Sequence, residues 1–210
     1  MNRTLRLATV WLVWAAAGLA AEERFSFSGA RLETTLAQGR ERTILTGNAQ
    51  LISDDTHIRA DRIELFGDNF SFAVCTGNVS VVNTTQGIEL TSDNLFYDRE
   101  AKVVRIQGGA LMVDRRNEVV VKGSFLEYWE GREEAVVQIG VRILKTDLAS
   151  RSEFARYSRR ENTLELHGLP VVNWKGDEYR ASRIFIDLGN DLIRLEGEVE
   201  GRITLDQEGG

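Results

Sequence analysis

The sequence predicts an all-β fold: a string of antiparallel hairpins whose long strands bend in the middle. Three observations carry this. Val, Ile and Thr are abundant and Gly stands at 19 of 210 residues, while Pro occurs once; β-branched residues suit strands and glycine suits tight turns. A glycine preceded by alternating apolar residues recurs at Gly47, Gly77, Gly108, Gly140, Gly168 and Gly197, at intervals of 28 to 32 residues. Such self-similarity at a fixed period marks a repeat architecture. Each unit, the fourth excepted, carries a second apolar run about eleven residues after its glycine, starting at Ile58, Ile88, Val119 and Tyr179.

In chain order, residues 1–20 read as a secretory signal peptide. Arg3 and Arg6 make a basic start, Leu7 to Ala17 is apolar apart from Thr9, and Gly18-Leu19-Ala20 puts small residues at −3 and −1 of a cleavage point before Ala21. The apolar stretch is shorter than the roughly 20 residues of a comfortable membrane span. The expected organisation is thus a signal peptide at 1–20, a β domain at 21–205 and a disordered tail at 206–210, with export. Loss of Arg3 and Arg6 takes the net charge from −6 to −8, which disfavours a nucleic-acid binder held by phosphate contacts. Cys75 is alone, so no intramolecular disulfide forms.

The repeat units follow. Each holds two runs separated by polar turns such as Ser53-Asp-Asp55, Gly67-Asp-Asn69 and Gly189-Asn-Asp191, which gives about twelve strands. The unit around Asp147–Tyr157 is degenerate and leaves room for a helical turn. In the second runs the apolar phase slips by one residue: Ile58 and Ala60 are even, Ile63 and Leu65 odd, and Leu90 gives way to Leu95. A strict period of two would turn half of each strand inside out. A bulge at the small residue restores the facing, and the same slip is expected in glycine strands, as from Phe72 and Val74 to Val79 and Val81. Matched bends stack into a V-shaped sheet with two walls and an apolar space between them. The expected lining is Leu45, Ala49, Leu51, Ile58, Ile63, Leu65, Phe72, Val79, Val81, Ile88, Leu90, Leu95, Ile106, Leu111, Val113, Val119, Val121, Leu126, Ile184 and Ile186.

Laid out in this way, the chain resembles the LptA/OstA-like family of periplasmic lipopolysaccharide-transport proteins. The resemblance rests on Thr46-Gly-Asn-Ala49 and Thr76-Gly-Asn-Val79, and on Ala60-Asp61, Ser92-Asp93 and Ala181-Ser182, each followed by alternating apolar residues. It implies a bent β-jellyroll open at both ends, whose groove takes the acyl chains of lipopolysaccharide or another outer-membrane amphiphile. It also implies head-to-tail association and contact with related jellyroll proteins of the inner and outer membranes. A membrane-anchored LptC-like component shares the fold and differs in keeping its N-terminus.

No enzyme signature accompanies the repeat. His57 and His167 stand 110 residues apart, and no Cys/His metal spacing, nucleophile elbow, phosphate loop or dinucleotide fingerprint is present. No catalytic residue, metal or cofactor is expected. Competing readings are a structural or adhesive repeat with a closed core, and a carbohydrate-active enzyme with an essential carboxylate. Two charge clusters remain, Arg151, Arg156, Arg159 and Arg160 against Glu127, Glu130, Glu133 and Glu134. The ordinary reading of both clusters is solvated turns; the functional alternative is that the arginines meet lipid phosphates at the groove mouth. Trp129 and Trp174 either pack within their hairpins or stand beside that mouth. The first and last strands, Phe25–Glu33 and Leu192–Thr204, contain no proline, and Arg24 and Arg31 on one edge complement Glu196, Glu198 and Glu200 on the other. Such edges template pairing between copies.

Overall fold

A computed structural model describes residues 25–204 apart from 38 and 54. The expected signal peptide, Arg24 and the 206–210 tail lie outside the described residues. Eight long strands run as an uninterrupted meander: β3 (Arg42–Ser53), β4 (Thr56–Phe66), β5 (Phe72–Asn83), β6 (Ile88–Asp98), β7 (Val103–Asp114), β8 (Val119–Trp129), β9 (Glu134–Lys145) and β10 (Leu148–Ser158). The remaining strands are broken in two. β1 (Phe25–Ser28) and β2 (Arg31–Thr35) both pair with β3, on its second and first halves. β11 (Thr163–His167) and β12 (Val171–Trp174) share β10 in the same manner. They pair in turn with β14 (Arg183–Asp187) and β13 (Asp177–Arg180), which pair with β15 (Leu192–Glu196) and β16 (Glu200–Arg202). The sixteen segments therefore make twelve strands, all antiparallel in one open sheet. Among the described residues the one helical element is a 3₁₀ turn at Asp68–Phe70, and the degenerate unit is an ordinary strand, β10.

Every strand is interrupted at the same level. The glycine strands carry two consecutive left-handed residues there: Gly47-Asn48, Gly77-Asn78, Gly108-Gly109, Ile139-Gly140, Gly168-Leu169 and Gly197-Glu198. The register jumps by one residue across each pair. Left-handed backbone costs an ordinary residue roughly 1–2 kcal/mol, which glycine avoids at one position of five pairs and at both positions of Gly108-Gly109. Side-chain hydroxyls help on the partner strands, where Ser92 and Ser152 donate to the carbonyls of Asn94 and Phe154, at 3.2 and 3.0 Å. At Gly123 a Cβ would stand 2.5 Å from a Val137 methyl, so only glycine fits the bend of β8.

The column of bulges divides the sheet into two walls. Wall A holds the strand halves that end at turns 53–56, 83–88, 114–119 and 145–148; wall B holds those that end at turns 66–72, 98–103, 129–134 and 158–163. Each inner face is a ladder of directly opposed apolar residues. On wall B, Leu45, Ile63, Cys75, Leu95, Ile106, Leu126, Val137, Ala155, Leu166, Ile184 and Leu195 pair in succession. On wall A the row is Leu51, Ile58, Val81, Leu90, Met112, Val121 and Ile143, then Ser150 and Val172. With no covering helix among the described residues, these faces cover each other, and the buried core lies between the walls.

The phase slip is real but confined to the second runs. In the glycine strands parity is kept through the bulge: Cys75, Val79 and Val81 are buried, as are Ile106, Ala110 and Met112. Two left-handed residues advance the chain by two positions, so the facing survives, and the single residue opposite must slip instead. Three expected lining residues are therefore corrected. Phe72, Leu111 and Val113 lie on the outer face, where Phe72 stacks with Phe96, centroids 5.8 Å apart, and against Phe66. Their inner-face places are taken by Ala73, Ala110 and Met112.

The bulge column gives a direct test. Gly168 has φ +73° and a Cβ there would sit 2.8 Å from Glu153 Cβ, whereas at Gly131 an added Cβ meets nothing. Gly168→Ala is expected to lower stability by about 1–3 kcal/mol, and Gly131→Ala to leave the urea midpoint within error of the parent.

Candidate functional site

The space between the walls is not uniform along the sheet. At its N-terminal end, between β1 and β8, a cleft of about 250 Å³ remains. Leu51, Ile58 and Val81 line it from wall A, and Leu65, Ala73, Leu95, Tyr97 and Val104 from wall B. Phe25 and Phe70 meet edge-on across its outer end, centroids 6.3 Å apart. Cavities of about 150 Å³ with such walls stay dry and accept a benzene-sized guest. From β3 to β7 the cleft runs beneath five strands, roughly 19 Å at about 4.8 Å per strand.

The rim is polar and mixed in charge. Ser53, Asp55, Asn83 and Gln86 stand on the wall A side, and Ser71, Arg99, Lys102 and Glu130 on the other. Burial pushes the Glu130 carboxyl above its ordinary range, partly offset by the charge of Lys102 and reinforced by Asp55, while Tyr97 hydrogen-bonds to it.

Beyond Tyr128 the walls close. The structure draws together six residues at this point: Gln86, Asp114 and Asn117 from wall A, and Tyr128, Tyr157 and Arg159 from wall B. Arg159 is 1% exposed and Asp114 is fully buried. The guanidinium grips the carboxylate through Nε at 2.7 Å and Nη2 at 3.2 Å. Its Nη2 also donates to the Gln86 carbonyl at 2.8 Å and its Nη1 to the Tyr128 hydroxyl at 3.2 Å. Tyr157 donates to Asp114 Oδ2 at 2.8 Å, Tyr128 to Gln86 Oε1 at 3.2 Å, and Asn117 to Asp114 at 2.9 Å. Burial alone would raise the Asp114 pKa, but hydrogen bonds from Arg159, Asn117 and Tyr157 outweigh it and hold it below the usual value. Burial, then the Asp114 charge, pushes the Tyr157 hydroxyl up. The network is ionic, and its charges are satisfied from both walls.

This placement overturns the alternative in which the four arginines meet lipid phosphates together. Arg159 is buried in the network. Arg156 pairs with Glu134 at 3.3 Å, and Arg160 lies near Glu133 at 4.0 Å and donates to the Gly131 carbonyl. Glu133 also faces Arg159 at 3.5 Å and Arg116 at 3.7 Å, and Glu127 pairs with Arg105 at 2.8 Å. The acidic and basic clusters thus answer each other across neighbouring turns and strands, leaving Arg151 exposed on the outer face. Trp174 is buried in the core, and Trp129 packs under Arg132, 5.2 Å from the ring centroid. Neither borders the cleft. His57 and His167 bond to Gln50 and Glu165, and burial alone pushes the Cys75 thiol up to about 12.

Of the expected lining residues, Leu51, Ile58, Leu65, Val81 and Leu95 border the cleft. Leu45, Ala49, Ile63, Val79, Ile88, Leu90, Ile106, Val119, Val121, Leu126, Ile184 and Ile186 also face inward but are buried in packed core. The expected lining left out Tyr97, Val104 and Glu130, and sequence reasoning missed the Asp114–Arg159 pair. Continued parity from Ala110 and Met112 would have pointed Asp114 inward.

No protein-family model matches this sequence, and no curated protein matches it. Among solved structures, LptH from Pseudomonas aeruginosa, described as the LptA-homologous periplasmic component of the conserved lipopolysaccharide transport device, is 10% identical. The alignment covers 88% of this chain and 97% of that one, with a TM-score of 0.28. Among the described residues no helix is long and apolar enough to cross a membrane, and no cluster of His, Cys, Asp and Glu could hold a metal ion.

The network is expected to act as a unit. Arg159→Ala strands a buried carboxylate and should cost about 3–5 kcal/mol, whereas the double variant Asp114→Leu/Arg159→Met should be far milder. Because the Asp114 pKa is lowered on folding, its stabilisation is full above the ordinary carboxylate range and drains away as pH falls through the folded value. Denaturant midpoints at pH 7 and pH 3 should therefore differ less in the double variant than in the parent.

Proposed function

We propose that the protein is an exported carrier that shelters an acyl chain of lipopolysaccharide, or of another outer-membrane amphiphile, between its two sheet walls. The apolar cleft carries this reading. It is lined by aliphatic side chains, rimmed by polar ones, and lacks any assembled catalytic group among the described residues. Burying a chain there needs no directional contact, since each methylene removed from water contributes about 0.8 kcal/mol. The repeat pattern and the secretory N-terminus noted in the sequence support the same reading and a periplasmic setting.

The two edges of the sheet, unpaired among the described residues, support end-to-end association. Phe27 and Leu32 are exposed on β1 and β2, and Leu192, Val199 and Ile203 at the other end, so each edge adds apolar surface to unpaired backbone groups. Arg31 is paired with Glu33 at 2.7 Å on its own strand, so backbone pairing rather than that charge would join the copies.

Two measurements test the proposal. A photo-crosslinking residue at Ile58, in the cleft, should capture lipid from the native periplasm, and one at the outward-facing Arg59 should not; equal labelling of both, or no co-purifying amphiphile, removes the carrier reading. Leu65→Trp, which fills the cleft from wall B, should weaken binding of added lipid about tenfold or more while the far-ultraviolet spectrum stays that of the parent.

A further inference from the structure

The carrier reading leaves open how much of a chain the cleft accepts, and the packing around Tyr128 bears on this. Gln86 belongs both to the cleft lining and to the buried ionic network, through its carbonyl to Arg159 and its side chain to Tyr128. Tyr128 is the direct cross-strand partner of Val104, the last apolar cleft residue on wall B. The network therefore stands where the cleft stops. On its far side Ile143, Leu164 and Val172 are fully buried in core.

We propose that the Tyr128–Gln86–Arg159–Asp114 network is an end-stop that sets the length of alkyl chain the cleft holds. It is a specificity-determining element for the cargo, and it rests on the carrier reading. The physical reason is the cost of passing it. A chain advancing toward the C-terminal end must separate Arg159 from Asp114, leaving Arg159 only the more distant Glu133 carboxylate at 3.5 Å and the buried Asp114 no cation, and breaking a buried pair is strongly unfavourable. Fully satisfied polar networks of this kind are also rigid. The cleft behaves as a measured slot rather than a through-channel along the sheet.

The probe is a series of saturated fatty acids from octanoate to stearate, with binding measured to the purified protein. Affinity is expected to rise about fourfold per methylene while the chain extends inside the cleft, then to stay flat once its end meets Tyr128. Tyr128→Ala should move that plateau to longer chains; an unchanged plateau with short-chain binding intact overturns the end-stop. Should that variant fail to fold, the parent protein decides alone. Stearate carrying a terminal diazirine should label residues on the cleft side, such as Leu65 and Val104. Adducts at Ile143 or Leu164 overturn the end-stop and leave the carrier reading standing, whereas no binding by any chain length overturns the carrier reading itself.

Discussion

An open sheet with one apolar face must hide that face, and among the described residues no helix is there to do so. The constraint is met by the backbone itself. A single column of bulges crosses every strand, and at each one the glycine strand takes two left-handed residues against one on its partner. The bend is thus encoded where side chains matter least, at glycines and at the small residues opposite them. Once the sheet is bent, two ladders of aliphatic residues face each other and the core assembles between them. Misplacing one bulge would disturb its neighbours, because each strand takes its facing from the register of the next.

Closing a bent sheet leaves a choice between a filled interior and an empty one, and this protein has both. Over β8 to β14 the walls are packed and tied across the gap by Arg159 and Asp114. Toward β1 the lining thins: Ala73 stands where a larger residue would reach across, and Phe25 and Phe70 meet only at the margin. Replacing a buried ion pair by apolar residues is often neutral or stabilising, so the pair is not explained by stability alone. Its position at the boundary between filled and empty interior fits a role in defining where that boundary falls.

Much of this was legible in the sequence. The glycine repeat located the bends, and the slip from Ile58 to Ile63 or from Leu90 to Leu95 correctly assigned both halves of those strands to one face. Legibility failed where both faces of a strand are apolar. In Phe72-Ala-Val-Cys75 and Ala110-Leu-Met-Val113 every phase looks acceptable, and bulk alone favoured Phe72, Leu111 and Val113, which pack outside. Failure of a second kind came with the arginines. Arg159 looks like its neighbours in a basic run, and only the bend brings it to Asp114, 45 residues earlier. The extent of the cleft was also hidden, since a residue that lines open space and one that meets the opposite wall carry the same alternation.

The meander has a consequence for how such a chain varies in length. Each strand pairs only with its sequence neighbours, and the bulge recurs once in every strand pair. A segment of one repeat could therefore be gained or lost without any remaining strand changing its partner or its facing, provided it is cut at equivalent turns. Overall size is then nearly independent of local architecture: the number of hairpins fixes the span of the protein, while a single side-chain cluster fixes how much of that span is hollow. Two properties that are tied together in a closed barrel can here diverge one repeat at a time.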